Sequence, residues 1–204
     1  VFMGMGEPLD NVESVIESIR LLTDQRGACI APSRISVSTV GRIDGLERLS
    51  TLVAEQGFHR IRLAVSINAS NDAIRSSIMP LNRAMPMTDL RAMLARWIER
   101  HRLPILIEYV LIPGVNDELA HTRELADWID DLPCRVNLIP YNPRRNSPWP
   151  APREQDVEAF ATALRGHGLA VSRRITLGRS LMAACGQLGT ERIRQRKLID
   201  LEVN

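Results

Sequence analysis

The chain has 204 residues, enough for one substantial domain with a real core, and its 45% hydrophobic and 25% charged residues are ordinary for a soluble globular fold. No run of about 18 uncharged apolar residues occurs, which argues against a membrane-spanning helix, and no signal-peptide pattern opens the sequence. Three scattered cysteines, Cys29, Cys134 and Cys185, argue against a disulfide framework and fit a reducing cytoplasm. With no CxxC or CxxxCxxC spacing, the sequence shows no zinc or iron–sulfur ligand set of its own.

Val1–Met5 reads as the middle of a strand. It lacks an initiator Met, so the true N-terminus is expected to be missing. Asn11 is placed to cap a helix carrying Val12, Val15, Ile16, Ile19 and Leu22 at helical spacing. Arg34–Thr39 is the second strand, followed by a helix over about 46–54, and Arg62–Ile67 is the third strand. A longer connection leads to a helix with Leu90, Leu94, Trp97 and Ile98 on one face and Thr88 as its cap. Ile105–Leu111 is the fourth strand, and Asp117 is positioned to cap the helix bearing Leu125, Trp128, Ile129 and Leu132. Arg135–Pro140 is the fifth strand. A Pro-rich loop over Asn142–Pro152 then precedes a helix with Val157, Phe160, Ala161 and Leu164 buried, closed by Gly166 and Gly168. Leu169–Arg174 is a sixth short extended run, and the last helical stretch is basic.

Strands alternating with helices predict an α/β fold with a parallel sheet and right-handed crossovers. The near-continuous apolar runs at 34–39 and 62–67 predict strands covered on both faces. A doubly wound sheet and a partial barrel both satisfy this pattern. Polar residues gather where strands end: Glu7, Ser38 and Thr39, Ser66 and Asn68, Asn116 and Asp117, then Asn142. In barrel-like α/β folds that edge holds the active site. Turn-forming and capping roles are the plain alternative for each residue taken singly.

Three further features bear on chemistry. Gly4 and Gly6 permit close backbone approach, Glu7 could accept a hydrogen bond from an ammonium group, and Pro8 stiffens the loop. Cys185, between Ala184 and Gly186, leaves its sulfur approachable, and a thiolate accepts methyl groups readily. A small buried cysteine is the plain alternative there, and Cys29 and Cys134 read as structural. The four histidines, at 59, 101, 121 and 167, are dispersed and read as exposed. Glu108 sits in mid-strand, where a charge needs a partner; facing the barrel interior and pairing with an arginine are both open. Net charge is only +2, yet seven basic residues (Arg173, Arg174, Arg179, Arg192, Arg194, Arg196, Lys197) stand against Glu191 alone over 173–197. That run reads as a solvated face or a phosphate contact.

Taken together and in order, VFMGMGEPLDN, ISVSTVG, LAVSINASNDAIR with the following MPLNR, IEYVLIPGVND, PCRVNLIPYNP and AACGQLG resemble the C-terminal portion of the RlmN-type RNA adenine methyltransferases of the radical S-adenosylmethionine superfamily. The resemblance covers nearly the whole chain. It implies a partial (βα)6 radical-SAM barrel, truncated at its N-terminus, over residues 1–190, with 191–204 as a basic tail. It implies S-adenosylmethionine contacts from Gly6, Glu7, Ser38, Ser66, Ile67, Asn68 and Asn142, with Asn68 standing where the family usually has His. It makes Cys185 the methyl carrier. The 4Fe-4S cluster and its CxxxCxxC ligands are expected upstream, with a second cysteine, a catalytic glutamate and an RNA-binding domain; no metal ligand is assigned within this chain.

The implied activity is methylation of carbon 2 of an adenosine in 23S ribosomal RNA and in tRNA, by a cytoplasmic monomer served by an electron donor. A radical tethered to the protein suits an electron-poor ring carbon that resists polar methyl transfer. Three other readings stay open. One is a carbon-8 methyltransferase of the same superfamily. Another is a non-catalytic RNA-binding fragment held by its basic run. The third is an ordinary α/β enzyme with a nucleophilic Cys185 and a histidine base, for which His167 is nearest in sequence.

Overall fold

The computed structural model describes residues 1–4, 6–143 and 147–174. Five parallel strands form one sheet in simple consecutive order: β1 (Ser36–Thr39), β2 (Arg62–Ser66), β3 (Ile105–Leu111), β4 (Cys134–Pro140) and β5 (Val171–Arg173). The helices are α1 (Val12–Thr23), α2 (Ile43–Val53), α3 (Asp72–Ile78), α4 (Met87–His101), α5 (Ala120–Ile129) and α6 (Glu154–Gly166). Among the described residues no helix is long and apolar enough to cross a membrane.

Consecutive order with right-handed crossovers puts every helix on the same side of the sheet. The core agrees. Val37, Leu63, Val65, Ile105, Ile107, Tyr109, Leu111, Val136 and Leu138 share one face by register and pack with apolar residues of α1, α2, α4, α5 and α6. This decides for the partial barrel over the doubly wound sheet. Consecutive residues Val37, Ser38 and Thr39, and Leu63, Ala64 and Val65, are buried, so these strands are covered on both faces as expected. The opposite, inner face carries Ser36 and Ser38, Arg62 and Ser66, Glu108, Arg135 and Asn137, and Ser172. A continuous apolar run in sequence hid this alternation, because small serines interrupt it without looking like a polar face.

The N-terminal segment differs from a full strand. Phe2 alone bridges Val37 in parallel, donating its N–H to the Ser36 carbonyl at 2.8 Å and accepting from the Ser38 N–H at 2.8 Å. A 3-10 turn at Pro8–Asn11 then leads into α1; Asn11 precedes the helix but its side chain makes no capping hydrogen bond. Where the turn passes α2 the backbones nearly touch, since a Cβ on Gly45 would lie 2.6 Å from Leu9 Cβ.

Two predicted caps are replaced. The α4 helix starts at Met87 after Pro86, so Thr88 lies inside it, and the free Met87 N–H is taken by Asp72 Oδ1 at 2.9 Å. The α5 helix starts at Ala120, and Asp117 instead accepts the Gly114 N–H at 2.8 Å in the preceding turn. The connection after β2 contains α3, whose N-terminus Asn71 caps by accepting the Ile74 N–H at 3.0 Å. Gly168, at φ +85°, does close α6.

Candidate active site

The strand ends converge as the sequence suggested, and the residues divide into two groups. The first is held by backbone and turn geometry. Thr39 Oγ1 accepts the Gly41 N–H at 3.1 Å and the Arg42 N–H at 3.4 Å, shaping the entry to α2. Asn116 is fully buried. Its Oδ1 accepts from the Ile112 N–H at 2.7 Å, and its Nδ2 donates to the carbonyls of Asn68 at 2.8 Å and Val110 at 2.7 Å. The Tyr109 hydroxyl donates to the Asn116 carbonyl at 2.7 Å. Asn116 is therefore a clip between the ends of β2 and β3. Asn68 takes a left-handed backbone, φ +57°, and its Oδ1 accepts the Val110 N–H at 2.9 Å. Ile67 has its side chain fully buried; its N–H donates to the Glu108 carbonyl at 3.0 Å and its own carbonyl accepts from Arg75 Nε at 3.2 Å.

The second group faces the concave side. Glu7 caps the 3-10 turn through Oε1, accepting the Leu9 N–H at 3.0 Å, and reaches the end of β1 through Oε2, accepting the Val40 N–H at 2.8 Å. Two backbone donors fix its carboxylate beside β1. An added Cβ on Gly6 would meet nothing within 4 Å, so the loop leaves open space next to its backbone. Ser38 and Ser66 both donate to Glu108 Oε2, at 2.9 and 3.1 Å. Glu108 is 6% exposed on the inner face, one of the two placements expected for it, and its partners among the described residues are hydroxyls rather than an arginine. Ser66, Glu108, Asn137 and Ser172 are direct register neighbours across β2, β3, β4 and β5. They form a transverse polar row on the inner face. Asn142 is buried just beyond the end of β4.

A buried arginine frames the site from behind. Arg75, on α3, is fully buried; Nη2 donates to the Val40 carbonyl at 2.6 Å and Nη1 to Asn82 Oδ1 at 2.7 Å. Burial lowers its pKa below the ordinary guanidinium value, with Asp72 acting in the opposite direction. Sequence reading missed this residue, because an arginine on a short polar helix carries no hydrophobic signal; the Asn71 cap three residues before Ile74 was the available clue.

The remaining calls fall out as follows. Cys134 is half-buried against the core, and burial pushes its thiol up to about 11, while Cys29 is exposed. His59 and His167 are exposed, but His101 packs on Trp97 and stands 2.7 Å from Ser50 Oγ. Cys185, most of the basic run and the boundary at 190 lie outside the described residues.

The site's acceptors suit S-adenosylmethionine, whose ammonium and ribose hydroxyls are donors and whose sulfonium is cationic. Glu7, Ser38, Ser66 and Glu108 supply oxygens, and the space at Gly6 admits close approach. An iron–sulfur cluster does not fit the same way: among the described residues no group of three or more His, Cys, Asp or Glu could hold a metal ion.

A parallel sheet with helices packed on one face and polar residues on the other defines the class as a partial βα barrel. A solved radical SAM methyltransferase from Sphaerobacter thermophilus superimposes with a TM-score of 0.85 and 39% identity, covering 91% of this chain and 53% of that one. A domain of pyruvate-formate lyase-activating enzyme from Bacteroides vulgatus shares the fold, with a TM-score of 0.62 and 18% identity over 85% of this chain and 97% of that one. No protein-family model matches the chain.

Two curated relatives are similar along nearly the whole chain. A probable dual-specificity RNA methyltransferase RlmN 1 of Protochlamydia amoebophila is 38% identical over 197 residues, which is 97% of this chain and 54% of the relative. The dual-specificity RNA methyltransferase RlmN of Bdellovibrio bacteriovorus is 38% identical over 201 residues, 97% of this chain and 48% of the relative. Over the stretch it spans, the chain is similar to the RlmN-type radical SAM methyltransferases, and it spans about half the length of these relatives.

Proposed function

We propose that this chain is the S-adenosylmethionine-binding barrel of an enzyme that methylates carbon 2 of an adenosine in 23S ribosomal RNA and in tRNA, in the cytoplasm. The observation that carries the reading is the placing of Glu7, Ser38, Ser66 and Asn142 at or just beyond the C-terminal ends of the parallel strands, with both serines joined at Glu108, in a chain similar to these methyltransferases. S-adenosylmethionine, when bound, supplies the methyl group. Glu7 would receive its ammonium group, Gly6 would admit its backbone-like end, and Ser38, Ser66 and the 67–68 backbone would hold the rest. Asn142 would close the far side beyond β4.

Cys185 would take the methyl group as a thioether and hold it until delivery to the adenine ring. Tethering replaces a bimolecular encounter with a positioned one, an advantage of several kcal/mol where alignment is good, on the order of 7 or more in favourable cases. The 4Fe-4S cluster, the electron donor and the second cysteine belong, on this reading, to parts of the enzyme beyond this chain. The basic run over 173–197 would contact RNA phosphates.

The test uses the full-length protein. Cys185→Ala should abolish methyladenosine formation on ribosomal RNA and leave S-adenosylmethionine binding intact. Undiminished product from the variant overturns the carrier role. A product methylated at carbon 8 moves the enzyme to the other branch of its superfamily.

A further inference from the structure

We infer that Glu108 sets the hydrogen-bond polarity of the inner face, turning Ser38 and Ser66 into acceptors for a donor-rich cationic ligand. This rests on the S-adenosylmethionine reading above and deepens it by naming a positioning residue. A serine hydroxyl has one proton. Both serines direct theirs at the same oxygen, Glu108 Oε2, at 2.9 and 3.1 Å. What they present to the concave side is then lone pairs alone.

The arrangement depends on the strand register. Ser66 and Glu108 are direct neighbours, while Ser38 lies opposite Ala64, one step below on the same face. Ala64 carries only a methyl group between them, so the β1 hydroxyl reaches across β2 to the β3 carboxylate. A larger residue at 64 would block that path. Glu108 Oε1 receives no donor among the described residues, and no described cation pairs with Glu108.

The centre of the face is therefore an acceptor set, built from Ser38 Oγ, Ser66 Oγ and Glu108 Oε1, with no cation among the described residues paired to the carboxylate. A low-exposure carboxylate with no cation partner among the described residues favours a ligand that brings its own positive charge and its own donors. The sulfonium, ammonium and ribose hydroxyls of S-adenosylmethionine match this, whereas its demethylated product lacks the sulfonium charge.

Calorimetric binding of S-adenosylmethionine and of S-adenosylhomocysteine to cluster-reconstituted full-length protein tests the inference. Glu108→Gln keeps the shape, removes the charge and introduces a donor. It should weaken S-adenosylmethionine at least tenfold and S-adenosylhomocysteine distinctly less, with the thermal midpoint preserved. Equal S-adenosylmethionine affinity in this variant and the parent overturns the inference. If Glu108→Gln does not fold, Ser66→Ala and Ser66→Thr decide. The alanine variant should bind weakly and the threonine variant, which keeps the hydroxyl, should bind like the parent. Full affinity in Ser66→Ala overturns the inference. A parent protein that binds neither ligand overturns the cofactor reading itself, a separate outcome.

Discussion

Arg75 Nη2 donates to the carbonyl of Val40 at 2.6 Å, so a fully buried guanidinium on α3 holds the chain just past the end of β1. The same side chain donates through Nε to the carbonyl of Ile67, just past the end of β2. One arginine thus ties together the backbone on which Ser38, Ser66 and Glu7 depend. Val40 also donates its N–H to Glu7, so the loop is gripped from both sides.

Arg75→Lys keeps the charge and loses the fork that reaches four acceptors, the carbonyls of Val40, Ile67 and Met85 and Asn82 Oδ1. Removing hydrogen bonds to a buried charged group and leaving its partners unsatisfied costs about 3 kcal/mol or more. Urea denaturation of Arg75→Lys should show a loss of that size. The variant should also bind S-adenosylmethionine more weakly, since Val40 is released. A stability within experimental error of the parent refutes the tie.

Gly41 follows Val40 with φ +98°, and a Cβ there would lie 2.7 Å from Leu90 Cδ2. Gly41→Ala therefore combines a disfavoured backbone with a clash against a buried side chain. Each strained residue of this kind costs about 1–3 kcal/mol. Chemical denaturation should report a loss in that range or above it. Adding Leu90→Ala should give a double variant less destabilised than the sum of the singles, because the clash term disappears. Strict additivity would show that the two sites do not touch.

His101 stands 2.7 Å from Ser50 and packs against Trp97 at 4.6 Å between ring centroids. Burial first, and the charge of Arg100 second, push its pKa below the ordinary 6.5. The unfolded chain then holds the proton more tightly than the folded one. Its contribution is complete above pH about 6.5 and is lost as pH falls through the depressed folded value. Urea midpoints measured down this range should decline on the acid side, and His101→Gln should flatten that decline. An identical acid-side slope in the variant would remove His101 as its source.

Cys29 is exposed, and Cys134 packs against the core with its thiol pushed up to about 11 by burial. The thiolate is the reactive form. Iodoacetamide at pH 8 should label Cys29 in the folded protein and Cys134 only after denaturant is added, as read by peptide mapping. Fast labelling of Cys134 in the native state contradicts its burial.

Much of the architecture was written in the hydrophobic spacing. Ile105–Leu111 is a strand from end to end, and Val12, Ile16 and Ile19 lie along α1, because long apolar patterns leave little choice of element. The caps at Thr88 and Asp117 were misplaced: α4 begins one residue before Thr88, with Asp72 accepting the Met87 N–H, and Asp117 accepts the Gly114 N–H of the preceding turn instead of capping α5. Glu108 was visible as an anomaly without an explanation. Its partners lie 70 and 42 residues away in the chain, and no local pattern records them.

The sequence alone determined the alternation of strands and helices, the polar residues at strand ends and, through motifs in order, the family the chain resembles, because these are properties of local sequence and its order. Tertiary structure alone decided which of two α/β architectures forms and which face of the sheet is polar. It also gathered Ser38, Ser66 and Glu108 around one oxygen while turning Asn116 and Asn68 into backbone clips. The physical reason is that hydrogen-bond geometry depends on register between strands, and register is set by packing the apolar face beneath the helices rather than by any one strand's own residues.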